Sequence, residues 1–296
     1  MIQLLLLAQA AAHLAAGTAA PSKLLTPNDI VAQSPASAWK AIPSDDLMVM
    51  DLANGGRVVV QLAPAFAPVH VANIKAMARG KYWDGASVYR LQDNYVAQWG
   101  LNESEKGFPA GVIAKPSAEY TRALKGLKVT PLGSPDPYAP GAGFADGWPV
   151  AYNAKAGWAD LTHCYGTVGV GRDLSPDTGS GGELYAVIGH GPRQLDRNIA
   201  IVGRVVDGID RLSTLPRGTE ALGFYKDKAQ YVPIASIRIA ADMPASERPT
   251  YEVMDTASAT FAHYLKTRAN RHDSFYIRPA GGVDLCNVQV PVRKKA

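Results

Sequence analysis

Arg90 and Gln98 stand eight residues apart in the stretch Ser87-Val88-Tyr89-Arg90-Leu91-Gln92-Asp93-Asn94-Tyr95-Val96-Ala97-Gln98-Trp99-Gly100. A β-rich run carries Arg90, a polar turn follows, and a second apolar run carries Tyr95, Val96 and Gln98. Alternate side chains of a strand share a face, so Val96 and Gln98 point the same way. If the turn folds the second run back beside the first, a guanidinium, an amide and an apolar floor converge. Such a site holds a peptide bond without cutting it, because no nucleophile stands among these residues.

Other chemistries find less support. The Gly-rich runs Gly166-Thr167-Val168-Gly169-Val170-Gly171 and Gly179-Ser180-Gly181-Gly182 lack the Lys-Ser/Thr of a phosphate loop and the GxGxxG spacing, so they read as tight turns and close strand packing. Cys164 follows His163, but two neighbours without further ligands are not a zinc site. The six histidines show no HExxH spacing. No Ser-His-Asp or Cys-His arrangement is supported by a local motif. No metal and no cofactor are therefore expected. A net charge of +4 over 296 residues does not call for nucleic acid, and the tail Arg293-Lys294-Lys295 reads as a solvated terminus.

The elements that must position Arg90 and Gln98 are short. Met48–Leu52 and Arg57–Leu62 are β-rich runs around Asn54-Gly55-Gly56, a hairpin pattern. Pro68 opens a helix that carries Val71, Ile74 and Ala78 on one side and ends at Gly80. Strands are expected at Tyr165–Gly171, Glu183–Ile188, Ile199–Val206 and Tyr231–Ala240, with a short helix through Ile209 and Leu212. Many short strands with two helices favour a closed antiparallel barrel. Residues 101–160 are rich in Gly and Pro and read as a long loop inserted near the site. The stretch from Pro131 to Gly141 excludes a regular helix or central strand.

The segment around Arg90 resembles the cyclophilin family of peptidyl-prolyl isomerases. In that family a phenylalanine-histidine-arginine run is followed, at this spacing, by phenylalanine, methionine and glutamine-glycine-glycine. Val88-Tyr89-Arg90 matches the first part, and Tyr95, Val96 and Gln98-Trp99-Gly100 match the second. The order hairpin, helix, arginine strand is shared, and the resemblance runs from about Leu47 to Ala240. It implies a mainly β fold: a closed antiparallel barrel with two capping helices, followed here by a C-terminal α+β extension.

The resemblance also implies a reaction and roles. A peptide bond resists rotation by about 18–20 kcal/mol, and a five-decade acceleration needs about 7 kcal/mol of transition-state stabilisation. Arg90 would donate to the prolyl nitrogen and favour the twisted amide, while Gln98 anchors the substrate backbone. Tyr95 and Val96 take the places of the family's phenylalanine and methionine in the proline pocket. Tyr185 takes that of the second paired phenylalanine, and Leu195 that of the leucine in a tryptophan-leucine pair. Gly171-Arg172-Asp173 matches the run that pairs with substrate backbone. Glu183 replaces a glutamine, Gln194 the tryptophan, and Ile199 the pocket histidine. These departures bear on rate, substrate preference and cyclosporin binding rather than on fold. The expected partners are proline-containing polypeptide segments, with oligomeric state left open. The rival is a chaperone module that binds such segments with little turnover.

The ends carry further expectations. Residues 1–20 combine an apolar run with small residues up to Ala20, as in a secretory signal peptide, although no Lys or Arg precedes the run. Export implies a periplasmic or secreted protein with no stable membrane insertion after cleavage. Residues 21–44, with four prolines, read as a loosely held lead-in to a barrel domain over 45–241. Residues 242–296 form an extension, with a helix candidate at Ser258–Arg271, expected to pack on the barrel. Cys164 and Cys286 are either bonded to one another or two buried thiols.

Overall fold

Five of the six residues in Leu47–Leu52 are apolar, and both faces of that strand are buried. In the computed structural model, which describes residues 24–101, 106–273 and 275–295, Met48, Met50 and Leu52 point into one core with Val58, Val60 and Leu62. Leu47, Val49 and Val59 point the other way, into a second core with Val253, Met254 and Phe261. The first core is the inside of a barrel. The second is the seam between the barrel and the C-terminal segment.

Along the chain, α1 (Pro27–Ala32) and β1 (Trp39–Ala41) precede β2 (Leu47–Leu52), β3 (Arg57–Leu62), α2 (Pro68–Arg79), β4 (Ser87–Leu91) and β5 (Val96–Gly100). Next come β6 (Arg122–Ala123), β7 (Thr130–Pro131), β8 (Gly141–Ala145), β9 (Trp148–Asn153) and β10 (Trp158–Leu161). They are followed by β11 (Thr167–Val170), β12 (Leu184–Val187), β13 (Ile201–Asp207), α3 (Ile209–Ser213) and β14 (Val232–Ile239). β15 (Tyr251–Met254), α4 (Ala259–Ala269) and β16 (Val292–Lys294) end the chain. The barrel closes in the order β11-β12-β5-β4-β14-β2-β3-β13, with β13 antiparallel to β11. This is the expected closed antiparallel barrel. Pro68 sits in the first turn of α2, whose Val71, Ile74 and Met77 join the barrel core.

Two regions are more ordered than their composition suggests. Residues 101–160 are not simply a loop, for they supply the five-stranded sheet β6-β10-β9-β8-β7. Its β8–β9 hairpin turns on Asp146 and Gly147, both at positive φ (50° and 84°), as a type I′ turn requires. Phe144 of this sheet meets Phe261 of α4 edge-on at 5.0 Å. Glu119, from the same region, accepts from the Val69 and His70 amides at the start of α2. From residue 24 onward the lead-in is not loosely held either. Thr26 and Asp29 form a capping box on α1, and β1 pairs with β15. Ile30, Trp39 and Ile42 are buried in the second core, and that burial outweighs the prolines.

Cys164 and Cys286 are joined by a disulfide whose Cα atoms lie 4.9 Å apart. It ties the start of β11 to the C-terminal segment. Among the described residues no helix is long and apolar enough to cross a membrane. Residues 1–20, read above as a signal peptide, lie outside the described residues.

Candidate active site

β4 and β5 are antiparallel neighbours, and Arg90 lies directly across from Gln98. A β-bulge between Val88 and Arg90 breaks the register just before this pair. Bulges bend a strand and re-aim its side chains. Here Val88 stays in the barrel core, while the two residues after it both reach Gln98. Gln98 Oε1 accepts from Arg90 Nη1 at 2.9 Å. Gln98 Nε2 donates to the Tyr89 hydroxyl at 2.6 Å, and that hydroxyl donates to Glu183 Oε2 at 2.6 Å. The carboxylate fits because residue 100 is glycine: a Cβ there would stand 1.9 Å from Glu183 Oε2.

Arg90 is held on three sides. Besides Gln98, its Nη2 donates to Gln92 Oε1 at 2.6 Å and its Nε to the Leu222 carbonyl at 2.7 Å. The Phe224 ring lies 5.3 Å from the guanidinium carbon. All three acceptors are neutral, so the group is oriented without being neutralised. A guanidinium has five N–H donors, and these contacts use three. Burial lowers the Arg90 pKa from its ordinary value. The cost of holding a half-buried cation without an anion is recovered wherever a bound group accepts the remaining donors.

An apolar cluster adjoins this polar chain. Val96, Tyr185 and Val187 are buried together, with Tyr95 and Ile199 packed against them. Alternation along β5 sends Val96 and Gln98 outward, while Ala97 and Trp99 enter the barrel core. β12 lies beside β5 with Tyr185 opposite Gln98. Tyr185 is buried, and its hydroxyl is met by His163 Nε2 at 2.9 Å. That partner is what a buried tyrosine needs where a phenylalanine would need none.

Tyr185 also marks the end of a buried polar line. His163 Nδ1 is 2.8 Å from Asp196 Oδ1. Asp196 Oδ2 accepts from Arg193 Nε at 2.6 Å, and Arg193 donates through both terminal nitrogens to Asp136 at 3.0 Å. Tyr138 stacks on the Arg193 guanidinium at 4.5 Å. The inserted region thus reaches the floor of the apolar cluster through Asp136.

The remaining candidate residues are spread around this centre. Gly171 borders Gln98, since a Cβ there would lie 3.4 Å from Gln98 Nε2. Arg172 is turned onto the Asn198 carbonyl, next to Ile199. Leu195 ends a short 3-10 turn, Gly191–Leu195, half-buried and outside the Tyr185 cluster. Gln194 is exposed. Gln92, Leu222, Phe224 and His163 are not among the site residues expected from sequence. Gln92 carried a signal, being two positions from Arg90 on one strand face. The other three arrive from distant segments without one.

Residues 47–240 match the family model described as cyclophilin type peptidyl-prolyl cis-trans isomerase/CLD. Probable peptidyl-prolyl cis-trans isomerases of Brucella suis and Brucella abortus are each 24% identical over 184 residues, covering 61% of this chain and 76% of theirs. The crystal structure of cyclophilin AquaCyp293 from Hirschia baltica is similar with a TM-score of 0.69 and 22% identity, covering 92% of this chain and 98% of that one. That coverage exceeds the matched barrel, so the shared fold takes in residues on either side of it.

Proposed function

The chain belongs to the cyclophilin-type peptidyl-prolyl cis–trans isomerase family, and we propose that Arg90 is the residue with which it stabilises the twisted prolyl amide. The reading rests on one observation: three neutral acceptors fix the Arg90 guanidinium beside Gln98 and the Val96–Tyr185 cluster, and two of its N–H groups find no partner among the described residues. The proline ring packs on Tyr95, Val96 and Tyr185. Gln98 and the Gly171 backbone hold the flanking peptide groups. As the amide twists, its nitrogen becomes pyramidal and gains a lone pair that the planar ground states lack. A donor aimed at that nitrogen therefore favours the transition state over both ground states. No bond is broken, and no proton moves permanently.

The substrates in this reading are proline-containing segments of folding proteins outside the cytosol. The apolar N-terminal run supports export, and so does the Cys164–Cys286 bond, because disulfides persist in oxidising compartments. Expression with and without residues 1–20, followed by fractionation, tests the location; a full-length chain retained in the cytosol contradicts it. The reaction is tested with an Ala-Pro peptide. The wild type should speed its cis–trans exchange with saturating kinetics and leave its mass unchanged. Binding without acceleration would replace the isomerase reading with that of a chaperone module.

A further inference from the structure

Arg204 is a second guanidinium without an anion, on a different wall of the barrel. It projects from β13 and stacks on the Trp148 ring at 4.6 Å. Its Nε and Nη2 donate to Gln61 Oε1 at 3.1 and 2.9 Å, and its Nη1 to the Gly147 carbonyl at 2.8 Å. All these acceptors are neutral, and among the described residues no carboxylate pairs with it. Two of its five N–H donors remain. Burial draws its pKa down to about 9, so it is still a cation at neutral pH. Even a half-buried cation carries a desolvation cost unless an anion answers it.

Arg204 lines a cavity of about 530 Å³ between the barrel and the C-terminal segment. Leu161, Ile201, Val205, Val206, Val288 and Val290 give it apolar walls. The Cys164–Cys286 bond closes one side. Arg204 shares the lining with one carboxylate, Asp207, which is already taken by Lys294 at 2.9 Å and the Tyr251 hydroxyl at 2.6 Å. The volume falls within the range of small-molecule sites, about 300–1,000 Å³. No residue of the Arg90 site lines it.

We propose that this cavity binds a small amphipathic carboxylate, with its head on Arg204 and its hydrocarbon tail along the valine-rich wall. The planar guanidinium fork matches a carboxylate. A single arginine among apolar walls does not satisfy a phosphate dianion, and a cationic or uncharged ligand leaves Arg204 unanswered. The ligand would bridge β13 to the segment around Val288 and Val290. It would therefore stabilise the folded chain by mass action.

The test is calorimetric titration of the full, disulfide-bonded protein with decanoate, decanol and decyltrimethylammonium below their micellar ranges, alongside thermal unfolding. One saturable decanoate site is expected, with a raised melting temperature and affinity at least about tenfold above the other two probes, the scale of one charge-assisted contact. Arg204→Met should remove that preference. Val206→Phe should fill the cavity and abolish binding, while Ala-Pro isomerisation, which uses a different face, stays unchanged. Equal binding of decanoate and decyltrimethylammonium, or no saturable site, would overturn the proposal. That comparison needs only the wild type, and it is independent of whether Arg90 is catalytic.

Discussion

The Tyr89 hydroxyl donates to Glu183 Oε2 at 2.6 Å while accepting from Gln98 at the same distance. Glu183 is thus the far anchor of the chain that ends at Arg90. Burial and the Glu183 carboxylate push the Tyr89 pKa upward, so the phenol remains a donor. Glu183→Ala leaves that hydroxyl without its acceptor and loosens Gln98. A fall in kcat/KM of about tenfold is expected, the scale of a hydrogen bond to a charged group. Glu183→Gln keeps an acceptor and should stay within about threefold. Exchange rates on one Ala-Pro peptide check both, and an unaffected alanine variant would show that Glu183 does not position Gln98.

The line from Asp136 to Tyr185 gives the inserted region a structural role under the apolar cluster. Asp136 and Arg193 are almost fully buried, with side-chain exposures of 1% and 3%. Asp136→Ala removes one partner and strands part of the charge of the other, which typically costs about 3–5 kcal/mol. Urea unfolding should show that loss. The double variant Asp136→Ala/Arg193→Met should recover none of it, because it also strips the buried Asp196 carboxylate of its guanidinium partner. A single-variant cost below about 1 kcal/mol would mean that the pair is not a main support of this region.

Asp160 predicts a pH dependence of stability. Both its carboxylate oxygens are buried without a hydrogen-bond partner among the described residues. Burial first, then the neighbouring Asp196 charge, raises its pKa from 3.8 to about 8. Between those values the folded protein keeps a proton that the unfolded chain has released. This group's contribution therefore makes stability fall as pH rises from about 4 to about 8, then level off. At about 1.4 kcal/mol per unit, the loss amounts to several kcal/mol at the upper end. Asp160→Asn should flatten the profile and raise the melting temperature most near pH 8. Parallel profiles for the two proteins across that window would rule out a raised Asp160 pKa.

What could be read from the residues was what local chemistry determines. Asn54-Gly55-Gly56 between two β-rich runs, Pro68 before an amphipathic run, and the Arg90–Gln98 spacing each carry their own signal. So did Asp146-Gly147, but the surrounding Pro and Gly suggested a loop and concealed the hairpin. Tyr89 was harder. Strict alternation sends it away from Arg90, and only the bulge brings both to Gln98. Leu222 reaches Arg90 across 132 residues, and His163 reaches Tyr185 across 22. Such contacts depend on barrel closure, to which no short window of sequence is sensitive. The two cysteines were left open for the same reason: their pairing depends on where the last strands return.

The most direct measurement is exchange NMR on a short Ala-Pro peptide with the wild type and Arg90→Ala, with peptide affinity measured in parallel. Truncation removes the guanidinium that Gln98 holds beside the Val96–Tyr185 cluster and leaves Gln98 and the apolar wall in position. Catalysed exchange should fall by at least about a hundredfold, on the order of 3 kcal/mol of transition-state stabilisation, while the peptide still binds within several-fold. Wild-type exchange rates in Arg90→Ala would contradict the assignment of Arg90 as the group that stabilises the twisted amide.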